Sequence, residues 1–460
     1  MTYFINHSLF CALTQITMFT KSSNGNNAKY AQDFFSVNRW ILRCAGLWRP
    51  STINKYIQIC YTFYAILVFA FVNLWFTFTE FVSLFYTFKN EYELIKNVNF
   101  FLTHFMGAIK VVFWYFYGNY LIRIMAALED PQFYYEGYEK YQPSEISQRY
   151  KKIGQKYSLM FLLLAHATLT SSYIPPTITT VRLLKSSRNS TMLPVNLPYY
   201  SWMPFSYNTG LKYLLAMAYQ AGTELKRHPK TSNIHDKLTN AGPMFNYAYS
   251  IVGMDSLFIN IINCITGNVV IIQGAFSTVR ERCMVQHDTV ASRNQPIQEN
   301  IVLINSMKME LLKIVKHLQT LFKASEQLEN VHRFVTLCQV TATLFILCTC
   351  LYLVSIAPPL SKQFLIEFVY MMAMSYQLYL YCWFGNEVTL KFQELPQHIW
   401  ESNWLATDTQ YKKSLMFTML RTRKPVFFTA GRFSRLTLPT FMSILKTSYS
   451  IFALIKNTSN

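Results

Sequence analysis

Apolar stretches of about 20 residues recur along this chain, near 56–79, 98–118, 157–178, 211–221 continued by 243–265, 335–357, 364–385 and 437–456. Each is long enough for a helix to cross the hydrocarbon core of a bilayer. A backbone in lipid finds no water, so continuous apolar runs of this kind must satisfy their own hydrogen bonds as helices. The expected fold is an all-α membrane protein with seven transmembrane helices. The composition agrees, because 460 residues that are 52% hydrophobic and only 14% charged are too apolar for an ordinary soluble domain.

The basic residues orient the bundle. Arg39, Arg43 and Arg49 precede the first span, and Arg149, Lys151, Lys152 and Lys156 fall between the second and third. Arg280, Arg282, Arg293, Lys308, Lys313, Lys316 and Lys323 lie between the fourth and fifth, and Lys412, Lys413, Arg421, Arg423 and Lys424 between the sixth and seventh. The alternate loops hold few, chiefly Lys89, Arg182, Lys185, Arg188 and Lys362. The positive-inside bias therefore predicts a cytosolic N-terminus and, with an odd number of spans, an extracellular C-terminus. That is the reverse of a G-protein-coupled receptor. A net charge of +19 would suit nucleic-acid binding if Lys and Arg were gathered on one polar face. They sit between apolar runs instead, so no nucleic-acid partner is expected.

Cys60, Cys264, Cys338, Cys348, Cys350 and Cys382 lie in or beside apolar spans and read as small buried residues. No Cys/His grouping has zinc spacing, and neither a metal nor another cofactor is expected. Phosphate loops, Gly-x-Ser-x-Gly elbows and His-Glu-x-x-His helices are absent from the sequence, so the reading is not an enzyme. Residues 8–19 have no basic flank before them and no small-residue cleavage site after them, which leaves the first span to direct insertion.

Several local features refine the layout. Trp40 to Pro50 reads as a short amphipathic segment, lying either on the inner membrane face or on the bundle. Lys110 falls inside the second span, where a charge calls for an ion pair, a polar contact or a ligand. Pro175-Pro176 should break or kink the third helix near the outer surface. Beyond it comes an outer loop over 179–210 with a glycosylation sequon at Asn189. A polar stretch over 222–241 interrupts the fourth span and cannot sit in lipid. It reads as an insertion or as retained intron sequence, since joining Ala221 to Gly242 restores one continuous helix. Ile301, Ile304, Met307, Leu311, Val315, Leu318 and Phe322 recur at helical spacing and predict a cytosolic amphipathic helix entering the fifth span.

The last span holds Ser443, Thr447, Ser448 and Ser450 among bulky apolar residues. Small hydroxyl residues can line a water path closed by an apolar ring, or serve as close-packing interface residues. Both readings stand on the residues alone.

The C-terminal part of the chain resembles the insect odorant receptor family. The resemblance rests on Tyr381-Cys382-Trp383-Phe384-Gly385-Asn386-Glu387, the Trp400 to Trp404 neighbourhood, Arg421-Thr422-Arg423-Lys424-Pro425, the Gly431-Arg432-Phe433 turn, and Lys446-Thr447-Ser448-Tyr449-Ser450 in the closing helix. It implies a ligand-binding, tuning-type subunit of a heteromeric odorant-gated cation channel in the plasma membrane of olfactory sensory neurons. The partner implied is the shared odorant-receptor co-receptor, in a tetramer, and the ligand a volatile small molecule.

The same resemblance divides the chain into a cytosolic N-terminal segment 1–52, helices one to four over 53–276, cytosolic anchor regions 277–334 and 389–436, helices five and six over 335–388, and a pore-type seventh helix 437–460. It places the pore and gate at Ser450, Leu454 and Asn457. The odorant site falls among Phe101 and His104, Thr168 and Ser172, Met217, and Tyr370, Met371 and Met374. Taken one by one, such aromatic and Met residues can also be plain core. A gustatory receptor of similar topology remains an alternative, although this chain reads Ser-Tyr-Ser-Ile-Phe where that family has a Thr-Tyr pair and a Gln-Phe ending. A G-protein-coupled chemoreceptor would have the opposite orientation, and a secondary transporter would have internal repeats.

Overall fold

The computed structural model describes residues 33–50, 54–186, 243–286, 301–405 and 407–458. Its first helix, α1 (Ser36–Cys44), turns Ile41 and Leu42 into the protein core rather than toward a membrane surface. Asn38 fixes it there, donating to Ser256 Oγ at 3.0 Å and accepting from Asn260 at 2.7 Å. Of the two sequence readings for this segment, packing on the bundle is the one observed.

Two long helices follow, α2 (Lys55–Thr87) and α3 (Glu91–Leu128). The side of α2 formed by Tyr56, Phe63, Phe85 and Phe88 is exposed and has the chemistry of a lipid-facing surface. Its middle, Val68–Phe76, is wound as a π-helix. Such a turn leaves backbone groups without their usual helical partners. Here the Asn73 carbonyl accepts from Tyr247 OH at 3.4 Å.

Helix α4 (Pro143–Ser186) runs unbroken through Pro175-Pro176, where the sequence predicted a break. In lipid, opening a helix exposes far more unpaired backbone than the two N–H groups that proline removes, so continuity costs less. The outer loop expected from 179 therefore cannot start before 187.

Helix α5 (Pro243–Ser277) is apolar on nearly every side, and α1, α3, α4, α7 and α8 pack around it. It begins on Pro243, a favoured first helical residue because its missing N–H has no helical partner in any case. After α6 (Val279–Gln286), α7 (Ile301–Ile356) is one continuous helix of 56 residues. Its first half buries Leu303, Met307, Leu311, Ile314, Leu318 and Leu321. The predicted stripe is thus present but rotated, since Ile301 is exposed and Val315 and Phe322 are only half-buried. His317 on this half stacks on Phe133, with ring centroids 4.3 Å apart, and meets Tyr135 OH at 3.2 Å. Burial, with Lys313 beside it, pushes this imidazole down to about 3, so it stays neutral.

The chain closes with α8 (Lys362–Trp400), α9 (Thr409–Thr422), a small hairpin of β1 (Thr429–Ala430) and β2 (Ser434–Arg435), and α10 (Leu438–Thr458). The Gly-Arg-Phe motif is the hairpin turn. Gly431 and Arg432 both have left-handed φ, at 67° and 71°. A Cβ at Gly431 would also lie 2.8 Å from Leu337. Glu329 accepts Thr429 N–H at 3.0 Å and the Arg333 carbonyl accepts Gly431 N–H at 3.0 Å, docking the hairpin on α7. Gly385 lets α8 touch the Leu436 backbone, since a Cβ there would sit 2.5 Å from that carbonyl oxygen. These contacts set the start and direction of α10.

Five described helices are long and apolar enough to cross a membrane: α2, α3, the 246–277 part of α5, α7 and α10. The other two predicted spans lie in α4 and α8, which are long but fall outside that set. Their apolar stretches are rich in hydroxyl and phenol side chains, with Thr168, Thr170, Ser171 and Ser172 in one and Tyr370, Tyr376, Tyr379 and Tyr381 in the other.

Candidate functional site

Helices α3, α4, α5 and α8 enclose a cavity of about 90 Å³. From the sequence-predicted set, His104, Thr168, Ser172, Tyr370 and Met374 all line it. Phe101 and Met371 do not. Helical phase explains both departures. On α3 the lining residues are Phe100, Thr103 and His104, and on α8 they are Tyr370, Ala373, Met374 and Gln377. Each set repeats at three- and four-residue intervals, so the residue just after its first member points about 100° away. Phe101 instead packs between Phe81 and Phe105, and Met371 is partly buried against the apolar cluster to which the cavity's own wall residues Tyr370 and Met374 belong. Met217, the Asn189 sequon and the 222–241 stretch lie outside the described residues.

Sequence reasoning also missed Phe161, Ala165 and Leu169 on α4 and Tyr247 on α5. The α4 residues carried a usable signal, since Phe161, Ala165, Thr168, Leu169 and Ser172 share one helix face.

The walls of the cavity combine aromatic surface with tied polar groups. Tyr370 and Phe100 rings lie 5.3 Å apart, and His104 and Tyr247 rings 4.7 Å apart. His104 Nδ1 is 2.7 Å from a carboxylate oxygen of Glu80, a fully buried residue of α2. Tyr247 OH also bonds Thr77 Oγ1, next to the π-helical turn.

Below the cavity, Lys110 has its counter-charge. Its Nζ lies 2.6 Å from Asp255 Oδ1, with Lys110 2% and Asp255 1% exposed. Tyr381 OH donates to the same carboxylate at 2.8 Å, and Gln377 Nε2 donates to its other oxygen. A buried carboxylate needs such partners because burial strips its water. Gln377 belongs both to the cavity wall and to this ion-pair cluster. Its Oε1 accepts from Gln339 Nε2 of α7 at 3.1 Å, and Gln339 also donates to Thr343 Oγ1 at 3.0 Å.

Farther along α7, the Leu344 carbonyl accepts from Ser448 Oγ of α10 at 3.3 Å. Ser448 is the buried hydroxyl of α10. Ser443, Thr447, Ser450, Leu454 and Asn457 occupy its opposite, exposed side, with Leu454 66% exposed.

A solved insect olfactory receptor shares this arrangement of long apolar helices. The structure of olfactory receptor OR5 from Machilis hrabei in complex with eugenol superposes with a TM-score of 0.70 at 13% identity, covering 93% of this chain and 100% of that one. The sequence narrows the class. The family model described as 7tm Odorant receptor matches residues 244–449. Odorant receptor 94a of Drosophila melanogaster is 35% identical over 98 residues, 21% of this chain and 25% of that protein. Putative odorant receptor 92a of the same fly is 25% identical over 161 residues, 35% of this chain and 37% of that protein. The chain thus spans about a quarter to two fifths of the length of these curated relatives. Over residues 244–449 the chain is similar to the odorant receptors of insects.

Proposed function

We propose that this chain is the odorant-binding subunit of a heteromeric odorant-gated cation channel in the plasma membrane of olfactory sensory neurons. Its partner is the odorant-receptor co-receptor, in a tetramer, and its ligand a volatile small molecule held in the cavity between α3, α4, α5 and α8. The N-terminus is cytosolic and the C-terminus extracellular, which follows from the basic residues flanking the spans. Residues 277–334 and 389–436 form the cytosolic anchor where subunits meet. A cleft of about 700 Å³ between α7 and α9 supports that assignment, because Leu312 and Phe417 line it and remain exposed in the single subunit.

One observation carries the reading: Gln377 joins the cavity to the helix that holds α10. A guest pressing on Gln377 changes its hydrogen bonds to Gln339 and Asp255, and α7 transmits the change toward Ser448. Gating then amounts to a population shift, which requires the guest to bind the open arrangement better than the closed one. Ser450, Leu454 and Asn457 line the pore on the uncovered face of α10, with Leu454 closing it by dewetting. The receptor OR5, of the same fold, has been observed with eugenol, which favours a small-molecule guest.

The test is whole-cell current from cells expressing this chain with and without the co-receptor, under an odorant panel and with G-protein signalling blocked. Fast cation current only in co-expressing cells supports the proposal. Second-messenger output without current, when signalling is intact, contradicts it.

A further inference from the structure

We propose that the cavity selects odorants that donate a hydrogen bond, short alcohols above all, over acceptor-only aldehydes and ketones of the same shape; this rests on the odorant-binding reading of that cavity. The reason is the direction of the protons. Hydroxyls on helices commonly donate back to a carbonyl three or four residues earlier. Thr168 Oγ1 does so to the Ala165 carbonyl at 2.7 Å, and Ser172 Oγ to the Thr168 carbonyl at 3.0 Å. On the α3–α8 side, Thr103 Oγ1 lies 3.0 Å and Tyr370 OH 3.1 Å from the Asn99 carbonyl oxygen, and the two hydroxyls are 2.5 Å apart. However the two protons are shared, both stay inside that triangle.

Two further polar groups on the wall also direct a proton away from the cavity. Tyr247 OH donates to the Asn73 carbonyl, and Gln377 Nε2 gives one of its two amide protons to Asp255. His104 turns Nδ1 to the Glu80 carboxylate.

A hydroxyl that has given its proton to a carbonyl still has lone pairs. An alcohol can donate to Thr103, Thr168 or Ser172 without disturbing any bond already made. An aldehyde oxygen must instead draw a proton away from a backbone carbonyl, which then keeps only its helical N–H partner, so the guest gains one hydrogen bond at the loss of another. The difference of one net hydrogen bond corresponds to roughly ten-fold in affinity. Size narrows the class further. The cavity, at about 90 Å³, is smaller than the roughly 150 Å³ space that admits benzene, so short unbranched guests fit without repacking.

Current from cells co-expressing this chain and the co-receptor tests the proposal, with primary alcohols of about two to four carbons, smaller than benzene, each compared with the aldehyde of the same chain. Alcohols are expected to reach half-maximal current at roughly ten-fold lower concentration. Thr168→Val and Thr103→Val should each narrow that gap by weakening the alcohols alone. Equal potency, more potent aldehydes, or variants that weaken both series alike overturn the donor preference and leave the receptor reading intact. Silence to both series with normal surface delivery overturns the odorant reading itself, and this inference with it.

Discussion

Gln339 and Gln377 face each other across α7 and α8, Gln339 Nε2 donating to Gln377 Oε1 at 3.1 Å. Both side chains are buried. Gln377 also lines the cavity, so a single side chain amide stands between a guest and the helix against which α10 packs.

Replacing Gln377 with Leu keeps the volume but removes that link. Coupling between sites in proteins amounts to about 1–3 kcal/mol, or 5- to 150-fold. Among the receptors that reach the surface, the odorant concentration for half-maximal current should rise by about ten-fold or more. Gln377→Glu, which sets a second carboxyl against the buried Asp255, should lose at least as much. Concentration–response curves of the two variants check this.

Lys110 and Asp255 should be lost together or not at all. Removing one partner of a buried pair leaves an uncompensated charge, at about 3–5 kcal/mol, whereas replacing both with neutral groups of similar volume is often near neutral. Lys110→Met and Asp255→Asn should each cut surface delivery sharply. The double variant should recover most of it. Surface biotinylation of the three variants is the measurement.

His317 gives the first half of α7 a defined acid sensitivity. Its imidazole is held down to about 3 in the fold, while an unfolded chain protonates near pH 6.5. The neutral ring therefore contributes fully above about pH 6.5, and stability falls below it at about 1.4 kcal/mol per pH unit until about pH 3. Thermal unfolding of detergent-solubilised protein between pH 7 and 5 should show the decline. His317→Gln should flatten it by about one proton.

Gly385→Ala tests the seat of α10. The added methyl would meet the Leu436 carbonyl oxygen at 2.5 Å, a backbone atom that cannot rotate away. Overpacking of this kind costs about 1–3 kcal/mol. A lower unfolding temperature together with reduced odorant current is expected.

The sequence showed five of the seven predicted spans, the long helix α7 and the Gly431 turn, because apolar run length and a left-handed glycine are local properties. It showed the cavity only by neighbourhood. His104 and Met374 lie on its wall and Phe101 and Met371 do not, a distinction of one residue in helical phase that needs the facing helices to settle. Lys110 announced the need for a counter-charge, but Asp255 is on another helix, and pairing across a bundle leaves no local mark. The unbroken passage of α4 through Pro175-Pro176 was hidden for a different reason. Proline rules are calibrated in water, and lipid changes the cost of opening a helix.

The most direct test of the account is the accessibility of Ser450 on α10. With Ser450→Cys in this chain, co-expressed with the co-receptor, a small cationic thiol reagent applied from outside should reduce the current rapidly in the presence of odorant and slowly in its absence. Modification at equal rates in both conditions, or loss of current no greater than in the unmodified chain, would contradict a pore lined by α10 and gated from the cavity.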